Sequence, residues 1–198
     1  VRIFREQTGL PEVANRTFRW GRDLQVWLME GRDYRTPDRE ASRGSAPTLW
    51  GPAQIKWLGE TLAASTATFR GILTTVPVVG PDRSNKDDNY ANAGFEAEGR
   101  EIRRMLSEYR NLTVITGDRH WQYVSVDPAT SLNEWSVGPS TAAHAGGWEE
   151  KTPRPEHRFL RTGQGGFLSG VVTPTATGAS LELRLHDVDG KVVYRAQR

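Results

Sequence analysis

A chain of 198 residues with seven Trp and 36% hydrophobic content is long enough for one ordinary domain, or for one part of a larger one. No stretch reaches the roughly 20 apolar residues of a membrane-crossing helix, and the absence of cysteine excludes disulfides, thiolate zinc sites and Cys nucleophiles, leaving nitrogen and oxygen as metal ligands. Net charge is only +2, and the 26 basic residues comprise 22 Arg and four Lys; that bias suits bidentate contact with carboxylate or phosphate, but no Arg cluster is dense enough to imply a nucleic-acid partner.

The first residues, VRIFREQTGLPEV, show neither the charged nor the apolar region of a signal peptide. Because the chain starts at Val1 rather than Met, this says little about compartment. Residues 1–15 have no clear period and read as a connector. Alternation then predicts a strand over Asp23 to Glu30, with Leu24, Val26 and Leu28 on one face and Gln25, Trp27 and Met29 on the other, buried on both sides. TPDREASRGSAP at 36–47 is a polar loop. Pro52 and the stripe Ile55, Leu58, Leu62 predict a helix over about Pro52 to Ser65. A second core strand follows at Phe69 to Val76.

VGPDRSNKDDNYANAG, residues 79–94, is a long loop dense in Asp and Asn. Asp82, Asp87, Asp88, Asn89 and Asn92 there suit either a calcium-like oxygen site or cleft lining, or else a solvated loop of Asx-turns. The spacing does not fit an EF-hand. A second helix is predicted over about Ala93 to Arg110, with Phe95, Ile102, Met105, Leu106 and Tyr109 inward and the pairs Glu96–Arg100 and Arg104–Glu108 outward. Strands at Leu112 to Thr116, Trp121 to Val126 and Leu132 to Val137 come next. Residues 138–166 are rich in Gly, Pro, Thr and His and read as a long irregular excursion. The end is all β: Phe167 to Thr173, Ser180 to His186 and Lys191 to Tyr194. Strand–helix alternation up to residue 116 predicts a layered α/β body closed by an antiparallel meander.

The chemistry concentrates in Gly117-Asp118-Arg119-His120, which interrupts an apolar strand at its carboxyl end. Ligands gather there in layered α/β proteins. Asp118 and His120, two apart, project to one side of an extended backbone and offer an oxygen and an imidazole nitrogen to a metal. Two donors do not complete a site, and spacing alone leaves a strand-ending cap with a satisfied histidine equally open. Arg119 between them either reaches substrate phosphate or forms a salt bridge behind the sheet. His144, in TAAHAGGW, either covers a cleft or is a surface histidine. His157 and His186 read as structural or exposed, and Asp33 with Arg32 or Arg35 as an ion-pair network. The scattered Trp residues suit core packing.

From Thr17 to about Trp148 the chain resembles the carboxyl-terminal half of the PhoD-like (alkaline phosphatase D) metallophosphoesterases. The stretches that carry the resemblance are RTFRWGRDLQVWLMEGRDYR, TLWGPAQIKWL, VPVVGPDRSNKDDNYANAGFEAEGREIRRML, VITGDRHWQYVSVDP and EWSVGPSTAAHAGGW, with GGFLSGVV and LHDVDGKVVY near the end. It implies a four-layer α/β fold and hydrolysis of phosphomonoesters or phosphodiesters at two or more divalent or trivalent metal ions, calcium and iron or similar. Asp118 and His120 are the positions that inherit metal ligation, from a Gly-Asp-x-His motif. The implied mechanism is attack of metal-activated water on phosphorus, which needs no Ser or Cys nucleophile.

Arg119, Asn89 and His144 are candidate substrate contacts. The family is often exported. Its other metal motifs belong to an amino-terminal half, and no Gly-Asp-x-x-Asp or Gly-Asn-His pattern precedes residue 112. The expectation is therefore half an active site, with the missing amino-terminal half of the same domain as partner, phosphoester as substrate, and inactivity as an isolated chain. On this reading residues 1–137 belong to the catalytic domain, 138–166 to a loop and 167–198 to its closing strands. The competing expectation is a non-catalytic, β-rich module that binds an anion or a partner. A related hydrolase acting on a sulfate or phospholipid ester is a third.

Overall fold

The structure, a computed structural model, describes residues 7, 15–37, 46–83, 85–146, 148 and 154–198. Most of the connector expected over 1–15, and residues 38–45 of the polar loop, lie outside the described residues.

β1 (Arg16–Trp20) and β2 (Leu24–Leu28) form an antiparallel hairpin. α1 (Gly51–Ala64) leads to β3 (Phe69–Thr74), and α2 (Glu96–Ser107) to β4 (Leu112–Thr116). β5 (Gln122–Val126), β6 (Asn133–Val137) and β7 (His157–Arg161) complete a seven-stranded sheet in the order β1-β2-β3-β4-β6-β5-β7. Within it β2, β3, β4 and β6 run parallel, while β1, β5 and β7 are antiparallel to their neighbours. β8 (Gly166–Thr175), β9 (Gly178–Asp187) and β10 (Val192–Gln197) form a separate antiparallel sheet.

Two apolar layers hold these elements together. On one face of the large sheet, Trp27, Ile72 and Val114 meet Leu58 and Leu62 of α1 and Ile102 and Leu106 of α2. Pro52 stands in the first turn of α1 and Glu96 and Glu98 in that of α2, where a proline and negative charge are favoured. The Glu96–Arg100 pair forms at 2.8 Å, but Arg104 turns to Glu101 at 3.1 Å rather than to Glu108.

On the opposite face, Phe69, Val124 and Trp135 pack against Leu181, Leu183 and Leu185 of β9. Gln122 fastens the two sheets: its amide donates to the His186 carbonyl at 2.9 Å and its oxygen accepts from Arg161 at 2.8 Å. Gly166 sits under this link, where a Cβ would lie 2.0 Å from the His186 carbonyl oxygen.

The second sheet covers only part of that face. Between it and β2, β3 and β4 runs an apolar groove of about 730 Å³ lined by Leu24, Val26, Leu73, Ile115, Leu168 and Leu183. Trp20 stands at its rim with 76% of its surface exposed. For this reason the burial of β2 on both sides, expected from its apolar run, is only half met: Trp27 is buried, and the groove-facing residues are not fully covered. Among the described residues no helix is long and apolar enough to cross a membrane.

Candidate active site

β3, β4 and β6 end in a row, with Thr74 beside Thr116 and Thr116 beside Ser136. The loops that follow therefore leave the sheet at one edge. This is the edge at which parallel sheets place ligands, and the Gly117–His120 turn sits at its centre.

The turn has an uncommon backbone. Arg119 N–H donates to the Gly117 carbonyl at 2.8 Å, closing a three-residue turn around Asp118, whose φ is +63°. Aspartate tolerates the left-handed region better than most residues, yet single residues held there cost on the order of 1–3 kcal/mol and concentrate at functional sites. Asp118 and His120 are both exposed, while Arg119 between them is 3% exposed. The chain thus turns two metal-type donors outward and one cation inward.

Arg119 is the hub of what lies beneath. One guanidinium nitrogen meets Asp82 Oδ2 at 2.8 Å; the other meets Asp118 Oδ2 at 2.8 Å and Asp88 Oδ1 at 3.2 Å. Asn89, fully buried, donates its amide to the same two loop carboxylates, Asp82 at 2.8 Å and Asp88 at 3.0 Å. Burial pushes the Asp82 carboxyl above its ordinary value despite the Arg119 charge. At Asp88 burial also pushes upward, but the Asn89 hydrogen bond and Arg119 outweigh it and leave the group lowered. Further positive charge comes from Arg83, 4.0 Å from Asp82 and stacked 5.3 Å over the Trp121 ring, and from Arg35, which feels the charges of Asp88 and Asp118.

The loop that brings Asp82 here is wrapped around another buried carboxylate. Glu134 of β6 accepts from the backbone N–H groups of Val78 (2.6 Å), Val79 (3.0 Å) and Gly80 (2.9 Å) and from the Tyr123 hydroxyl (2.7 Å). Three successive amides around one anion form a nest. Burial pushes the Tyr123 hydroxyl well up, so it stays a donor to Glu134. Arg103 of α2 closes the loop from the other side through the Val78 and Tyr90 carbonyls, at 2.8 and 3.1 Å.

These contacts reassign several residues. The 79–94 loop is not solvated throughout, because Asp82 and Asn89 are buried within it, although Asn89 does close an Asx-turn by accepting from the Ala91 N–H at 2.9 Å. Asn89 is engaged with Asp82 and Asp88 instead of facing a cleft. His144 is exposed on a 3-10 turn, Ala142–His144, and no hydrogen bond links it to Asp118 or His120 among the described residues. Its loop does reach the site: a Cβ on Gly146 would lie 3.2 Å from the His120 Cβ. His157 is buried against Trp148 and Tyr123, and His186 bonds Ser169 at 2.8 Å, both structural roles.

Asp118 and His120 fit metal ligation as far as they go. Asp118 keeps 45% of its side chain exposed, with one carboxylate oxygen on Arg119, and His120 is exposed at the same strand end. The set is partial: among the described residues no group of three or more His, Asp or Glu is arranged to hold an ion.

A mixed sheet faced by helices on one side and by a second sheet on the other is a metallophosphoesterase-like fold. The chain belongs to the PhoD-like phosphatase family, whose model matches residues 4–158. Its fold is similar to that of the solved PhoD structure, with a TM-score of 0.58 at 18% identity over 92% of this chain and 44% of that one. It is similar as well to GAP50, the anchor in the inner membrane complex of Plasmodium (TM-score 0.62, 12% identity, 94% of this chain and 55% of that one). A purple acid phosphatase from yellow lupin (Lupinus luteus) seeds gives 0.60 at 13% identity, over 92% and 32%. The chain therefore spans about half the length of PhoD and of GAP50, and a third of the lupin enzyme. No curated protein sequence matches it.

Proposed function

We propose that this chain is the carboxyl-terminal part of a metal-dependent phosphoester hydrolase in which Asp118 and His120 are metal ligands. The Gly117–His120 turn carries the proposal: a strained aspartate and an exposed histidine at the parallel strand ends, braced from below. Two or more metal ions, calcium and iron or similar, would supply Lewis acidity and a nucleophile drawn from water. The chain's own part is to offer an Asp118 oxygen and a His120 nitrogen on a rigid edge, and to limit the His120 ring by the close passage of Gly146. His144, two residues before Gly146, is the remaining candidate for substrate contact.

The rest of the ligands belong to an amino-terminal half of the same domain. Two observations support this: the chain spans 44% of PhoD, and an apolar groove rimmed by Trp20 lies open on one face of the sheet. Residues 1–137, the 138–166 segment, which is not irregular throughout because it pairs as β7 over His157–Arg161, and the strands of 167–198 would then form one domain with that half.

The complete protein should hydrolyse p-nitrophenyl phosphate or its bis ester, and His120→Ala should abolish this. Equal activity after that change removes the catalytic assignment. The likeness to a Plasmodium anchor protein favours a second reading, a non-catalytic scaffold that binds a partner. In that case the complete protein has no esterase activity and chelator leaves its binding unchanged.

A further inference from the structure

Arg119 has two possible occupations at such a site, holding substrate phosphate or holding the protein. Three features point to the second. Arg119 is 3% exposed although both sequence neighbours are exposed, so its guanidinium faces the loop beneath and not the surface that a phosphate would approach. Its terminal nitrogens are already committed to three carboxylates. Two of those carboxylates, Asp82 and Asp88, are oriented by Asn89, and Asp82 follows directly on a loop wound around Glu134. Arginine suits this task because its planar fork can address several oxygens in fixed directions, which an ammonium cannot do.

The consequence reaches Asp118. Its backbone is held in an unfavourable region by the Gly117–Arg119 turn, and one of its oxygens is fixed at 2.8 Å by Arg119. The rotamer that leaves the other oxygen outward is thus set from below. Partners of this kind orient a metal-ligating carboxylate, and their loss lowers metal affinity roughly 10–100-fold. We propose that Arg119 is a positioning residue: braced by Asp82 and Asp88, it fixes the Asp118 carboxylate for metal binding and does not touch substrate. This rests on Asp118 being a ligand.

The test uses the complete protein, stripped of metal, with manganese(II) as probe in titration calorimetry. Arg119→Met should bind at unchanged stoichiometry with affinity lower by about 10- to 100-fold. It should lower kcat towards p-nitrophenyl phosphate at saturating metal while leaving KM within about twofold. Asp82→Asn combined with Arg119→Met removes one of the carboxylates left unpaired; it should recover thermal stability without recovering metal affinity. Arg119→Lys, which keeps the charge and loses the fork, serves if the Met variant does not fold, and should also bind metal more weakly.

Wild-type metal affinity in Arg119→Lys or Arg119→Met, or a raised KM with metal affinity intact, overturns the proposal. Recovery of metal affinity together with stability in the double variant does so too, since the role is then only structural. Asp118→Asn and His120→Ala are measured alongside. If they bind manganese like wild type, the ligand assignment itself has failed; if they do not and Arg119→Met does, only the positioning role is lost.

Discussion

Replacing Glu134 by Gln tests the frame under the site. The carboxylate is fully buried and accepts four hydrogen bonds, two on each oxygen. A glutamine amide keeps one oxygen for two donors and places an NH2 against the other pair. With its nitrogen toward Tyr123, the hydroxyl rotates to accept, but the Gly80 N–H is left facing a donor. One buried unsatisfied amide costs about 1–3 kcal/mol, and the remaining bonds lose their charge-assisted character. Relief of the cost of burying a charge offsets part of this. The net expectation is about 2 kcal/mol of lost stability. Glu134→Leu, shorter by one atom and without an acceptor, strands all three backbone amides and should cost at least about 4 kcal/mol. Urea unfolding of the complete protein reads both values, and amide exchange at Val78, Val79 and Gly80 should quicken in both variants. Stabilities within about 0.5 kcal/mol of wild type, with unchanged exchange at those amides, would refute the claim that the loop depends on this carboxylate.

Three other outcomes follow from the same contacts. Asp88 is held below its ordinary value, so its stabilising share is present above pH 3.8 and lost as pH falls through its folded value; the stability gap between wild type and Asp88→Asn should narrow on acidification. Asp82 is raised, so its share is full below pH 3.8 and lost as pH rises through its folded value; the gap for Asp82→Asn should widen on acidification, and thermal melts from pH 7 to 3 separate the two signs. Gly166→Ala puts a methyl 2.0 Å from the His186 carbonyl and 2.5 Å from the Gln122 amide, and should cost about 1–3 kcal/mol or displace the second sheet, read by thermal melting.

Much of the scaffold was legible from residue order. β4 was expected over Leu112 to Thr116 and lies there, and both helices and the last three strands fall within a few residues of their expected places. Local pattern sufficed: the helices carry an apolar stripe, and β4 is a short run buried on both faces.

β1 and β7 were not foreseen. RTFRW is a five-residue edge strand whose alternation is limited to Phe18 and Trp20, both exposed, and HRFLR sits inside a Gly- and Pro-rich stretch that suggests irregular chain. Both form because a neighbouring strand supplies hydrogen bonds, which is a property of the fold and not of the segment.

At the site, the Gly-Asp-Arg-His interruption was visible, but what it rests on was not. Arg119 pairs with carboxylates 31 residues and more upstream, and spacing carries no information about such contacts. Asp82 and Asn89 belong to an acidic loop whose composition suits a calcium-like site, cleft lining or a solvated run alike, because a run of Asp and Asn looks the same whether a cation, water or a buried arginine receives it. Glu134 does not figure among the residues that spacing or motif singles out. Its one local signal was a carboxylate inside NEWSV, a strand otherwise destined for the core, where an acid is costly unless something donates to it.

The most direct measurement is anomalous diffraction from the complete protein grown with manganese(II). A metal peak within about 2.0–2.6 Å of an Asp118 oxygen and a His120 ring nitrogen is the predicted result. A fully loaded enzyme whose metal peaks touch neither side chain would contradict the account.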